Sequence, residues 1–190
     1  MEGRADLFAE DAGLLGRLAS WAAAARVDEA VEARSREAFL RRSAAEGATF
    51  AGVLLDLAEQ GGPVLVSLSG GRRHRGRIRA VGADFVVLET DGAGQVLVAE
   101  RGIVAVRPEA GARDLSGDRP LALGAELADA LAIAAEDRPR VLVVVAGDPD
   151  GLAGELRGVG RDVVVLRLDG AGRPTAYVPM ANLVAVTVAG

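Results

Sequence analysis

The chain has 190 residues, half of them apolar, enough to build a core and to exclude wholesale disorder. It contains no cysteine, which removes disulfides, thiolate metal sites and cysteine nucleophiles together. The net charge of −5 is uneven: residues 1–46 carry −2, residues 47–108 carry +1 and residues 109–190 carry −4, so a basic surface could come only from the middle segment.

Only six residues are aromatic, so the core must be aliphatic, built from Val, Leu, Ala and Ile. Every basic residue except His74 is arginine, which fits either a codon bias or selection for planar phosphate and carboxylate recognition. No stretch has the roughly 18 uninterrupted apolar residues of a membrane helix. Glu2, Asp6 and Glu10 make the start unlike the cationic start of a secretory signal. The expectation is a soluble, cytoplasmic protein with no membrane partner.

From residue 5 to about 45 there is no proline, and Leu14, Leu18, Trp21 and Ala25 recur at helical spacing. Val27, Ala30, Val31 and Ala38 continue the stripe more loosely, with Arg34 interrupting it. This predicts a long N-terminal helical arm over residues 1–46, either packed on the rest or free to bind a partner. Gly47 opens a second helix with Phe50, Val53, Leu54 and Leu57 on one face, stopped by Gly61-Gly62-Pro63.

Five short strands follow. Val64 to Leu68 is the first, turned by Gly70-Gly71. In the second, Gly76, Ile78 and Ala80 share one face, and Arg73, Arg75, Arg77 and Arg79 the other. Phe85 to Glu89, Val96 to Val98 and Ile103 to Val106 complete the set, with an Asp91-Gly92 turn between the third and fourth. Between Arg107 and Pro120, Pro108, Gly111, Gly117 and Pro120 stand among scattered charges, which is a linker signal for residues 109–120.

The plan then recurs. Gly47 pairs with Gly124 and Val64 with Val141 at an offset of 77; Gly76 with Gly154, Val81 with Val159 and Asp84 with Asp162 at 78; Val104-Ala105-Val106 with Val184-Ala185-Val186 at 80. The turn Asp91-Gly92-Ala93-Gly94 returns as Asp169-Gly170-Ala171-Gly172. A matching helix carries Leu127, Ala130, Leu131 and Ala134 and ends at Asp137-Arg138-Pro139. Two copies are too few for an open solenoid, so closed units in tandem are expected. The expected fold class is α+β, mainly β, as two five-stranded barrels over residues 47–108 and 121–190, each behind a short helix.

Helix, breaker and five strands in this order resemble the Sm-like fold, above all the bacterial Sm-like RNA chaperone family, Hfq. The run PVLVSLSGGRRHRGRIRAVGADFVVL carries the likeness: Pro63 before strand one, glycine at the first turn, Gly76 to Ile78 at the centre and Phe85 opening strand three. Ile103, Val106 and Pro108 match the last strand. The likeness spans about residues 50–108 and, more weakly, 127–188. It implies RNA binding, with Phe85 as a stacking residue and Arg101 within the family's Tyr-Lys-His position. It also implies edge-to-edge assembly, since Sm-like barrels join through their last two strands. The family's other RNA-contacting residues do not carry over. Its Tyr-Lys-His falls at Ala99-Glu100-Arg101 and at Pro179-Met180-Ala181, its strand-one aromatic at Ser67, and its Gln at Asp84; Val163 replaces Phe85 in the second copy.

The sharpest chemical feature is the cluster Arg72, Arg73, Arg75, Arg77 and Arg79. Four phosphate contacts on a single strand would give log affinity against log salt a slope of roughly −3. The alternative is a solvated face paired with acidic groups such as those of Asp148-Pro149-Asp150 or of the helical arm. Scarce aromatics leave little for base stacking. His74 is isolated and reads as structural, Asp84 and Asp162 as turn-capping residues, and the loop Gly147 to Gly151 as a hairpin turn rather than a calcium site. No nucleophile, base and orienting group converge, so neither catalysis nor a cofactor is expected. Two functions remain: RNA or single-stranded nucleic-acid binding through the arginine strand, or protein interaction and self-assembly through strand edges or the N-terminal helix.

Overall fold

The computed structural model describes residues 34–40, 46–92, 94–109, 115, 117 and 124–188. The chain divides into two units, Met1–Glu46 and Gly47–Gly190. In the first unit residues 34–40 are helical and exposed, Phe39 and Leu40 among them. Leu14, Leu18, Trp21, Ala25, Val27, Ala30 and Val31 lie outside the described residues, as does most of the linker. The described helices are short, and none is the long N-terminal helix expected from that stripe.

Helix α1 runs Phe50–Gln60. Thr49 is its N-cap, with the hydroxyl accepting the Gly52 N–H at 3.0 Å, and Gly61 ends it at φ 61°, a conformation that costs glycine nothing. Leu54 and Leu57 are buried on its inner face. Helix α2 spans Leu127–Glu136, with Asp129 accepting the Glu126 N–H at 3.2 Å, and buries Leu127 and Leu131. Each helix packs on the second strand of its own half.

The strands of the first half are β1 (Val64–Leu68), β2 (Arg73–Val81), β3 (Phe85–Thr90), β4 (Gly94–Ala99) and β5 (Ile103–Pro108). Those of the second are β6 (Arg140–Val145), β7 (Asp148–Val159), β8 (Val163–Leu168), β9 (Thr175–Pro179) and β10 (Leu183–Val188). Short 3-10 turns, η1 (Glu100–Gly102) and η2 (Met180–Asn182), precede the last strand of each. The repeat is kept in detail. Register shifts fall at Ile78/Ala80 and at the equivalent Leu156/Gly158. The paired glycines have one steric cause: a Cβ at Gly76 would lie 2.3 Å from the Glu89 carbonyl oxygen, and one at Gly154 2.4 Å from that of Arg167.

All ten strands belong to a single antiparallel sheet, in the order β5-β1-β2-β3-β4-β10-β6-β7-β8-β9. This corrects the expectation of two separate five-stranded barrels. Within each half the order is the same, 5-1-2-3-4 and 10-6-7-8-9, yet neither half closes on itself. The outer edge of β4 pairs with β10, through Ala185↔Val98, Val186↔Leu97, Thr187↔Val96 and Val188↔Gln95, instead of with β5. A bare strand edge leaves N–H and C=O groups unpaired, and β10 supplies their partners. The ends of the sheet are therefore β5 and β9.

Two apolar clusters line the sheet, and each borrows from the other half across that joint. The first contains Val144, Val184 and Ala185 of the second half. The second contains Phe85, Leu97 and Ala99 of the first half, together with Leu127, Leu131 and Leu183.

Candidate functional site

Strand β2 alternates as its sequence requires: Arg73, Arg75, Arg77 and Arg79 are exposed, while Gly76 and Ile78 face inward. Most of these cations are already engaged. Arg75 makes a forked pair with Glu109, Nε to Oε1 at 2.5 Å and Nη2 to Oε2 at 2.9 Å, and reaches Asp91 at 3.4 Å. That hydrogen bond raises the Arg75 pKa and holds the Glu109 carboxyl below its ordinary value. Arg79 pairs with Glu89, Nε to Oε2 at 2.6 Å. Arg77 donates to the Gly61 carbonyl at the end of α1, where a cation complements the helix dipole. Arg72 donates to the Asp150 carbonyl at 2.9 Å. Among the described residues the Arg73 side chain alone of the five makes no hydrogen bond or ion pair.

The two residues indicated by the family resemblance sit elsewhere. Phe85 is 6% exposed and belongs to the second apolar cluster, so its ring packs in the core. Arg101, in η1, donates to the carbonyls of Met180, Ala181 (3.1 Å) and Leu183 (3.4 Å), clamping η2 of the other half. His74 lies on the inward side of β2, opposite Val66, and its Nε2 is buried without a partner. Burial, then the charge of Arg72, lowers its pKa.

Asp84 caps no turn of its own. Its Oδ1 accepts the Leu127 N–H at 2.7 Å, at the first residue of α2 in the other half. Beside it the Ala83 N–H donates to the Ala125 carbonyl at 2.8 Å. Asp148 is the residue that behaves as a turn cap, with Oδ1 accepting from Asp150 at 3.1 Å and from Gly151 at 3.3 Å.

Arg101, Asp84 and the β4–β10 ladder together form the joint between the halves. Among the described residues the sheet ends at β5 and β9, which are the repeat counterparts of the two sides of this joint. Strand β9 corresponds to β4, and β5 to β10, both at the offset of 80. Burial separates them. Leu97 on β4 is 7% exposed and its counterpart Tyr177 on β9 71%; Val184 on β10 is 2% exposed and its counterpart Val104 on β5 69%. Sequence reasoning singled out neither Tyr177 nor Val104. The only local signal was a tyrosine where the first copy has leucine.

Among the described residues no three of His, Cys, Asp and Glu lie close enough to hold a metal ion, and no helix is long and apolar enough to cross a membrane. No family model, no curated protein and no solved structure matches this chain.

Proposed function

We propose that this chain is a non-enzymatic self-assembly module, in which the β9 edge of one copy pairs with the β5 edge of the next. One observation carries this: the joint between β4 and β10 inside the chain is made of the strand types left bare at its ends. Transferring that register by the repeat offset pairs Ala105 with Val178, Val106 with Tyr177 and Arg107 with Ala176. It covers Tyr177 as Leu97 is covered now.

The pairing between chains is weaker than the internal one, for two reasons. Pro108 replaces Val188 opposite Thr175, and Pro179 follows Val178, so prolines bracket a short ladder. Position 181 is alanine where Arg101 stands in the first copy, so the guanidinium clamp is missing. Such an interface joins unlike surfaces and leads to a ring or an open filament, according to whether its rotation closes.

Nucleic-acid binding by the arginine strand has less support. Its cations are largely paired with carboxylates and carbonyls, and Phe85 is inside.

Light scattering over a concentration series tests the assembly. Wild type should gain mass with concentration, while Tyr177→Lys stays monomeric with an unchanged melting temperature, because that side chain is exposed in the single chain. A wild type that remains monomeric at high concentration would overturn the assignment.

A further inference from the structure

We infer that Asp162 of one chain caps helix α1 of the next, its carboxylate accepting the Phe50 N–H. This contact presupposes the edge-to-edge assembly proposed above and fixes which residues complete it.

The precedent lies within the chain. Asp84, in the loop before β3, caps α2 through Leu127, the first residue of that helix. The repeat offsets map Asp84 to Asp162 and Leu127 to Phe50, the first residue of α1. Asp162 is exposed, and its carboxylate has no hydrogen-bond partner among the described residues. The Phe50 N–H has no carboxylate acceptor there either, since the Thr49 hydroxyl serves Gly52. The neighbouring backbone bond repeats the pattern: Ala83 N–H to Ala125 C=O exists, while the counterparts Arg161 and Ala48 make no such bond.

Apolar cover points the same way. Leu127 and Leu183 share a cluster with Phe85, Leu97 and Ala99 of the preceding half. Their counterparts Phe50 and Ile103 line an open cleft of about 350 Å³ together with Ala83, Asp84, Glu100 and Arg101, and Phe50 is 41% exposed. Val163, Tyr177 and Pro179 of a second copy are the residues that would stand over them. One docking movement therefore pairs the strand edges, covers Phe50 and brings a carboxylate to the Phe50 N–H, which the Thr49 cap leaves unserved, at the start of an 11-residue helix. The contact also sets polarity: Asp162 lies in the loop before β8, next to the β9 end of the sheet, whereas Ile103, which lines the cleft with Phe50, opens β5 at the other end.

Sedimentation velocity on a dilution series of the full chain is the test. A cap of this kind is typically worth about 1 kcal/mol, so Asp162→Ala should weaken self-association about fivefold, and Asp162→Asn, which keeps an acceptor, should recover most of that. Phe50→Pro deletes the N–H donor at the one helical position that tolerates proline, and Thr49 at φ −117° and ψ 155° already has the extended backbone that proline demands of its predecessor. In that background Asp162→Ala should have no further effect. Equal losses in both backgrounds, or no loss in wild type, would overturn the contact while leaving edge pairing intact, provided Tyr177→Lys still abolishes assembly. A wild type that never self-associates would overturn both.

Discussion

Asp84→Ala should destabilise the sheet by about 1–2 kcal/mol, and the figure follows from the geometry. The Oδ1 to Leu127 N distance is 2.7 Å, and removing it orphans the first N–H of α2 at a partly buried site. Loss of a capping oxygen costs about 1 kcal/mol, and loss of a negative charge at a helix N-terminus about 0.3–1 kcal/mol more. The backbone bonds of the same loop, Glu100 N–H to Asp84 C=O and Ala83 N–H to Ala125 C=O, both 2.8 Å, survive and limit the damage. At about 2–4 °C per kcal/mol for a chain of this length, the melting temperature should fall by about 2–8 °C. Calorimetry at a concentration where the chain is monomeric is the assay. Asp84→Asn should lose only part of the effect, and the exposed counterpart Asp162→Ala should stay within about 0.5 kcal/mol of wild type. Equal melting temperatures for Asp84→Ala and Asp162→Ala would refute the claim that Asp84 holds the two halves together through α2.

Three further outcomes are expected. Ala181→Arg supplies the guanidinium that Arg101 provides at the internal joint, and should tighten self-association in the dilution series; unchanged association would argue against equivalence of the two joints. Asp56, 7% exposed, accepts the Gly117 N–H at 2.8 Å, so Asp56→Ala leaves a buried donor unpaired and should cost about 1–3 kcal/mol in urea unfolding. Mixed RNA and single-stranded DNA should show no salt-sensitive binding in electrophoretic titration; a slope near −3 that vanishes in Arg73/Arg75/Arg77→Glu would instead assign the arginine face to phosphate, by roughly four contacts.

Local structure was legible because local physics determines it. Gly61-Gly62-Pro63 stops α1, the two-residue period of β2 separates arginines from Gly76 and Ile78, and the offsets of 77 to 80 recover the same strand order in both halves. What periodicity could not reveal is which strand covers the outer edge of β4. Val104-Ala105-Val106 and Val184-Ala185-Val186 are the same tripeptide, yet Val104 is exposed and Val184 buried. Only the long-range pairing of β10 with β4 distinguishes them, and no residue in either tripeptide encodes it. The arginines show a similar limit. Alternation places them on one face, but Glu109 lies 34 residues beyond Arg75, and its role as a partner emerges only after β5 has paired with β1. Phe85 reads as a ligand residue by position and is a core residue by packing, since its strand lies beside the joint that the second half covers.

Complementation between two singly blocked chains tests edge pairing most directly. Tyr177→Lys blocks β9 and leaves β5 free; Val104→Lys blocks β5 and leaves β9 free. Each alone should remain monomeric by light scattering, and an equimolar mixture should form a 1:1 dimer that grows no further. Assembly by either variant alone, or a mixture that stays monomeric where wild type associates, would contradict pairing of β9 with β5.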